Sequence, residues 1–114
     1  MSKYIRMIPQ AHITNVEPKG TVSEDWESRK AYIGTAGALY VMDGAPKAPG
    51  KQFVILIDEE SWFRTSAGDL TDENGTLRLE TGNSVYTFAI DDGELTAEKT
   101  VEMLKLLYKY GYRE

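Results

Sequence analysis

The side chains that could carry out covalent or acid–base chemistry are few. The chain has one histidine, His12, and no cysteine. A hydrolytic triad would need a serine poised in a nucleophile turn beside that imidazole, and no such turn is written around any serine. His12 lies inside a strand pattern and reads as a half-buried structural histidine. Without cysteine there is neither a disulfide framework nor a thiolate zinc site. The runs Asp58-Glu59-Glu60 and Asp91-Asp92 with Glu94 could act as paired carboxylates or as oxygen ligands for a metal. Both lie where strand patterns end, however, and solvated acidic turns are ordinary there. The Gly34–Gly37 segment, GTAG, lacks the lysine and following helix of a phosphate loop. The residues therefore point away from an enzyme, and they imply no metal and no cofactor.

Binding chemistry is better represented. Trp62-Phe63-Arg64-Thr65-Ser66 alternates two aromatics across a strand, so that one enters the core and the other stands outside, next to a guanidinium and two hydroxyls. An exposed ring with an arginine nearby can stack a nucleobase and hold a phosphate. Cross-strand pairing plus one surface aromatic is the competing reading. Asn83 is either the positive-φ residue of its turn or an amide at the lip of a sheet, able to read a base edge. Arg29 and Arg113 are the other guanidiniums able to reach a ligand or a neighbouring chain, or else are solvated surface arginines.

The elements that would position these groups centre on residues 61–90. Asn74-Gly75 and Gly82-Asn83 are two successive hairpin turns. Counting from them pairs Leu77 with Phe88 and Leu79 with Tyr86 on a dry face, and Arg78 with Thr87 and Glu80 with Val85 on a wet one. Residues 4–16 read as one or two strands, with Pro9 at an edge, bulge or break. Residues 17–28 read as a loop with at most one helical turn, capped by Ser23 and carrying Trp26. Residues 29–33 and 38–43 are short strand candidates, and 44–50 is an exposed proline loop. Residues 52–58, QFVILID, read as a central strand buried on both faces, against which Trp62-Phe63 returns antiparallel. Thr96 caps a helix over 97–110 with Gly111 at C′. Its stripe Val101, Leu104, Leu107 and Tyr108 is expected to close the dry face. Met103, Leu106 and Tyr110, with Trp26, are then left for a partner subunit, most simply in a two-fold homo-oligomer.

The fold class is thus α+β and mostly β: a bent antiparallel sheet or partly open small barrel with one C-terminal helix, in a single domain of 114 residues. Eighteen acidic against thirteen basic residues give a net charge of −5. That balance argues against general nucleic-acid binding, which depends on a basic face that neutralises phosphates. No apolar run reaches the length of a membrane span and the first residues lack a signal-peptide core, so a cytoplasmic protein is expected.

The hairpin motif Thr81, Asn83, Ser84, Tyr86, in a small acidic cysteine-free β-rich chain ending in a helix and a terminal arginine, resembles the phage Thoeris anti-defence proteins. The resemblance implies a non-enzymatic sponge that sequesters a cyclic ADP-ribose isomer, in some members cyclic oligonucleotides, in pockets shared between subunits. It would make Asn83 the base-reading amide, Trp62, Phe63 or Tyr86 the stacking ring, and Arg29 and Arg113 the phosphate clamps. From other classes, an acidic DNA-mimicking inhibitor of a host nuclease and a small virion or assembly subunit stand as alternatives.

Overall fold

The computed structural model describes residues 4–21, 24–58 and 60–111. Ser23, Glu59, Tyr112 and Arg113 lie outside them. Seven strands form one antiparallel sheet: β1 (Tyr4–Pro18), β2 (Ala36–Asp43), β3 (Gln52–Ile57), β4 (Trp62–Arg64), β5 (Asp69–Glu73), β6 (Thr76–Glu80) and β7 (Ser84–Asp92). Their order across the sheet is β4-β3-β2-β1-β7-β6-β5. A 3₁₀ helix, η1 (Glu24–Tyr32), joins β1 to β2, and α1 (Ala97–Lys109) ends the chain's regular structure. No helix among the described residues is long and apolar enough to cross a membrane.

Strict alternation in β2 and β3 sorts side chains into two cores. Leu39, Val41, Val54 and Leu56 face one way, whereas Ala38, Tyr40, Met42, Phe53, Ile55 and Ile57 face the other. The first set packs in one cluster with Leu77, Leu79, Tyr86 and Phe88 from the far half of the sheet. A single layer can bring Leu56 and Leu77 into one cluster only by curling over on itself. β1 supplies the bend. Ile8, Ala11, Ile13 and Val16 all reach the inner core although the first and last of the steps between them are three residues rather than two, and the ladder slips between Ile8 and Ala11 and again between Ile13 and Asn15. Such bulges insert extra residues, bend the strand and sharpen its twist. Pro9 sits at the first slip, which is where a central strand tolerates a missing N–H.

The curl nearly closes. Gln52 and Gly68 exchange both backbone bonds, at 3.0 and 2.8 Å, and Lys51 meets Asp69 at 2.7 Å. A Cβ on Gly68 would run into the Glu80 carbonyl, so only glycine lets the strands come this close.

The hairpin register is as counted: Leu77 opposite Phe88, Leu79 opposite Tyr86, Arg78 opposite Thr87, Glu80 opposite Val85. Asn74 and Gly75 have φ of 49° and 84°, as a type I′ turn requires. Gly82-Asn83 also forms a two-residue connection, but neither residue has positive φ. The backbones of Thr81 and Ser84 pair at 2.9 Å, and the Thr81 hydroxyl accepts from Ser84 N at 3.2 Å, so a side chain stabilises the turn instead.

Other expectations are corrected. β1 continues through Pro18, and residues 29–32 belong to η1 rather than to a strand. β3 is buried on both faces, but β1, not β3, is the central strand. Its second face is covered by α1, which packs on Tyr40, Ile55 and Ile57 and not on the Leu77–Phe88 face. Met103 and Leu107 are the buried helix residues, while Val101 is 52% exposed and Tyr108 is also exposed. The stripe is rotated because the helix must straddle β2 and β3, where the Tyr40 hydroxyl donates to the Met103 carbonyl at 2.6 Å. Burial pushes the Tyr40 phenol well above its ordinary pKa. Trp26 is 3% exposed and lies in the chain's own inner core, so neither it nor Met103 is free for a partner.

Candidate functional site

η1 is unusually long for a 3₁₀ helix. Its charges suit its ends, with Glu24, Asp25 and Glu27 in the first turn and Arg29 and Lys30 in the last. At three residues per turn, positions i, i+3 and i+6 eclipse, which lines up Trp26, Arg29 and Tyr32. Trp26 is the anchor. Its ring enters the inner core and its indole N–H donates to the Ser84 hydroxyl at 2.8 Å. The helix is thereby held across the Thr81–Ser84 turn, and between them lies a cleft of about 430 Å³ lined by Thr21, Asp25, Trp26, Ser28, Arg29, Tyr32 and Asn83.

The Arg29 guanidinium is half-buried and donates to the Tyr86 hydroxyl at 3.4 Å. Among the described residues it forms no ion pair, whereas Arg6 and Arg78 pair with Asp72 and Glu80. The Asn83 backbone carbonyl accepts from Lys19 N at 3.0 Å, tying the turn to the end of β1. Ser28 donates to the Asp25 carbonyl at 2.8 Å. Tyr32 is 41% exposed, with its ring centroid 4.5 Å from that of Phe63. Phe63 in turn meets Tyr86 edge-on at 5.6 Å, so the exposed ring leans on a chain of two buried aromatics.

The structure brings together Arg29 and Asn83, with Tyr86 and Phe63 beneath them. Phe63 and Tyr86 are buried and present no open face to a ligand. Trp62 is 46% exposed, but it points to the opposite side of the sheet, 6.1 Å from Tyr110. Arg64 also leaves the site: its guanidinium lies 4.6 Å over the Phe53 ring, in a separate cleft beside residues 44–48. Thr65 is a buried structural residue whose hydroxyl accepts from Val54 N at 2.9 Å. Arg113 lies outside the described residues.

Tyr32 is a cleft residue that the sequence reading does not name as a ligand candidate, and Trp26, expected at a partner, is instead its anchor. The signal for both is the three-residue spacing from Trp26 to Arg29 to Tyr32, visible only once the helix type is known.

His12 is half-exposed and its Nδ1 pairs with Asp91 at 2.9 Å. The Asp58 carboxylate accepts from the backbone of Ser61 and Glu60, which holds its pKa below the ordinary value. No group of three or more potential metal ligands occurs among the described residues. Comparison with protein-family models, curated proteins and solved structures finds no match.

Proposed function

We propose that this protein binds a small anionic nucleotide in the Arg29–Tyr32–Asn83 cleft and sequesters it unaltered. The observation that carries this reading is the half-buried Arg29 guanidinium, which has no carboxylate partner among the described residues and opens on a cleft of ligand size. A partly buried arginine with no carboxylate partner among the described residues suits a phosphate. Beside it, the exposed Tyr32 ring offers a face on which a base can stack, and Asn83 offers an amide. Tyr32 takes over the stacking role expected of Trp62, Phe63 or Tyr86. The resemblance to the Thoeris anti-defence proteins suggests a cyclic ADP-ribose isomer as the first ligand to try.

Incubation with the product of a TIR-domain signalling enzyme, followed by denaturation and chromatography, should return the signal intact. Hydrolysed signal, or signal that was never retained, would exclude sequestration. Arg29→Ala should weaken retention about tenfold or more, since a charged hydrogen bond in a partly desolvated site is worth about 1.5–3 kcal/mol.

Self-association belongs to the same proposal. Trp26 and Met103 are used internally, and a second copy would pack on the face of α1 where Val101 and Tyr108, two turns apart, are exposed. Light scattering of a Val101→Ser, Tyr108→Ser double variant should show a lower mass than the parent. A parent already monomeric at high micromolar concentration would end this part of the proposal.

A further inference from the structure

The buried side chains Met103 and Leu107 mark the inner side of α1. At 3.6 residues per turn, the opposite side carries Glu98, Val101, Glu102, Lys105, Tyr108 and Lys109 within an arc of about 120°, and all six are exposed. Val101 and Tyr108 run along one flank of that arc and the four charges along the other. The charges are sorted by sign. Both glutamates lie in the N-terminal half of the face and both lysines in the C-terminal half, an order that suits the helix dipole and also makes the face complementary to its own reverse. Within the chain these charges are little used. Among the described residues Glu98, Lys105 and Lys109 form no ion pair, and Glu102 meets only Lys99, at 3.9 Å.

We infer that the occupant of this face is a second copy of the chain, lying antiparallel across a two-fold axis; the inference rests on the self-association proposed above and gives it an orientation. Antiparallel pairing that seats Val101 against Tyr108 of the second copy also brings Glu98 to its Lys109 and Glu102 to its Lys105. The registers these contacts ask for differ by two residues, about 3 Å along the axis, which flexible side chains absorb. The axis repeats every contact, so four opposite-charge pairs flank two apolar ones. Parallel packing would instead bring Glu98 and Lys105 each toward its own copy, like charge against like, which is repulsive. A helix pair about 20 Å long makes a small interface, so the sign of the charges that meet across it carries weight.

The chain has no cysteine, so introduced thiols report the orientation without interference. Glu98→Cys and Lys109→Cys should each give little product alone with a short thiol-to-thiol cross-linker, because the two-fold axis holds like positions about 15 Å or more apart along the helices. Mixed in equal amounts they should cross-link to one another about tenfold faster than either does to itself. The charges are tested separately. Lys105→Glu with Lys109→Glu should weaken the dimer about tenfold in sedimentation, and so should Glu98→Lys with Glu102→Lys, whereas a mixture of the two double variants should regain parental affinity. Salt should weaken the parent dimer and strengthen each double variant's. A parent that is monomeric at high micromolar concentration would remove the self-association proposal and this inference together. A dimeric parent whose single-cysteine variants cross-link to themselves or not at all, or whose affinity ignores the charge reversals, would overturn the antiparallel α1 interface alone.

Discussion

Arg29 and Trp26 share a short helix yet meet opposite requirements, one kept reachable and the other buried. Trp26 fills the mouth of the inner core and spends its only donor on Ser84. Trp26→Ala should therefore destabilise the fold by about 3–5 kcal/mol, the usual cost of emptying a buried aromatic site, read as a lower midpoint in urea. Trp26→Phe keeps most of the packing but removes the donor, and should cost about 1–2 kcal/mol. Arg29 lies at the cleft with a tyrosine hydroxyl as its hydrogen-bond partner. Arg29→Ala should move the urea midpoint little while weakening ligand retention about tenfold or more. That separation of stability from binding is what distinguishes a ligand-holding arginine from a structural one.

Among the elements, α1 and the Gly68 crossing give the sharpest contrasts. Met103 and Val101 are two residues apart on one helix and equally apolar in sequence, yet one is sealed against Tyr40 and Ile55 and the other is in solvent. Met103→Ser should cost about 2–5 kcal/mol, because it empties a core site and buries a hydroxyl. Val101→Ser, compared at concentrations low enough to keep both proteins monomeric, should fall within about 0.5 kcal/mol of the parent. Thermal unfolding of the two variants side by side checks the helix orientation. Gly68→Ala would force a Cβ into the Glu80 carbonyl at the point where β3 and the start of β5 bridge. It should destabilise by about 2–3 kcal/mol, and amide exchange should quicken at Gln52 and Gly68 before it does in β1.

For the whole molecule, charge couples the fold to pH through groups at its rim. Asp58 is held below its ordinary pKa first by the backbone N–H of Ser61 and then by that of Glu60. Asp69 is held down by the hydrogen bond and charge of Lys51. A carboxyl whose folded pKa is lowered contributes stability that is complete above the unfolded value and is lost as pH falls through the folded one. The melting temperature should therefore hold from pH 7 to about 5 and decline below about pH 4, the ordinary range of an aspartate. Asp58→Asn keeps an acceptor for the turn but has no proton to take up, so it should flatten part of that decline. Asp69 is exposed and Asp58 only partly so, and added salt should mute the effect of the Lys51–Asp69 pair more than that of the backbone-bonded Asp58.

The sequence by itself determined the parts of this protein that depend on local chemistry. Asn74-Gly75 sets a turn and thereby the pairing of Leu77 with Phe88; Thr96 and Gly111 bound a helix; β3 had to be buried on both faces because every residue from Phe53 to Ile57 is apolar. These follow from φ preferences, capping and periodicity, which act within a few residues. Only the tertiary structure decided the rest. Residues 24–32 carry no strong periodicity, and their 3₁₀ form is held by Trp26 reaching Ser84, fifty-eight positions away. In an α-helix, Trp26 and Tyr32 would stand about 120° apart, whereas three residues per turn stack them on one side with Arg29 between. Arg29 and Asn83 were each legible as possible ligand residues, but nothing local joins them. They meet because bulges in β1 curl the sheet and the Trp26 anchor draws η1 onto the β6–β7 turn. Trp62 and Arg64 went elsewhere because strand alternation puts them on the face opposite Phe63, a geometry that decides sides but not which side holds the cleft.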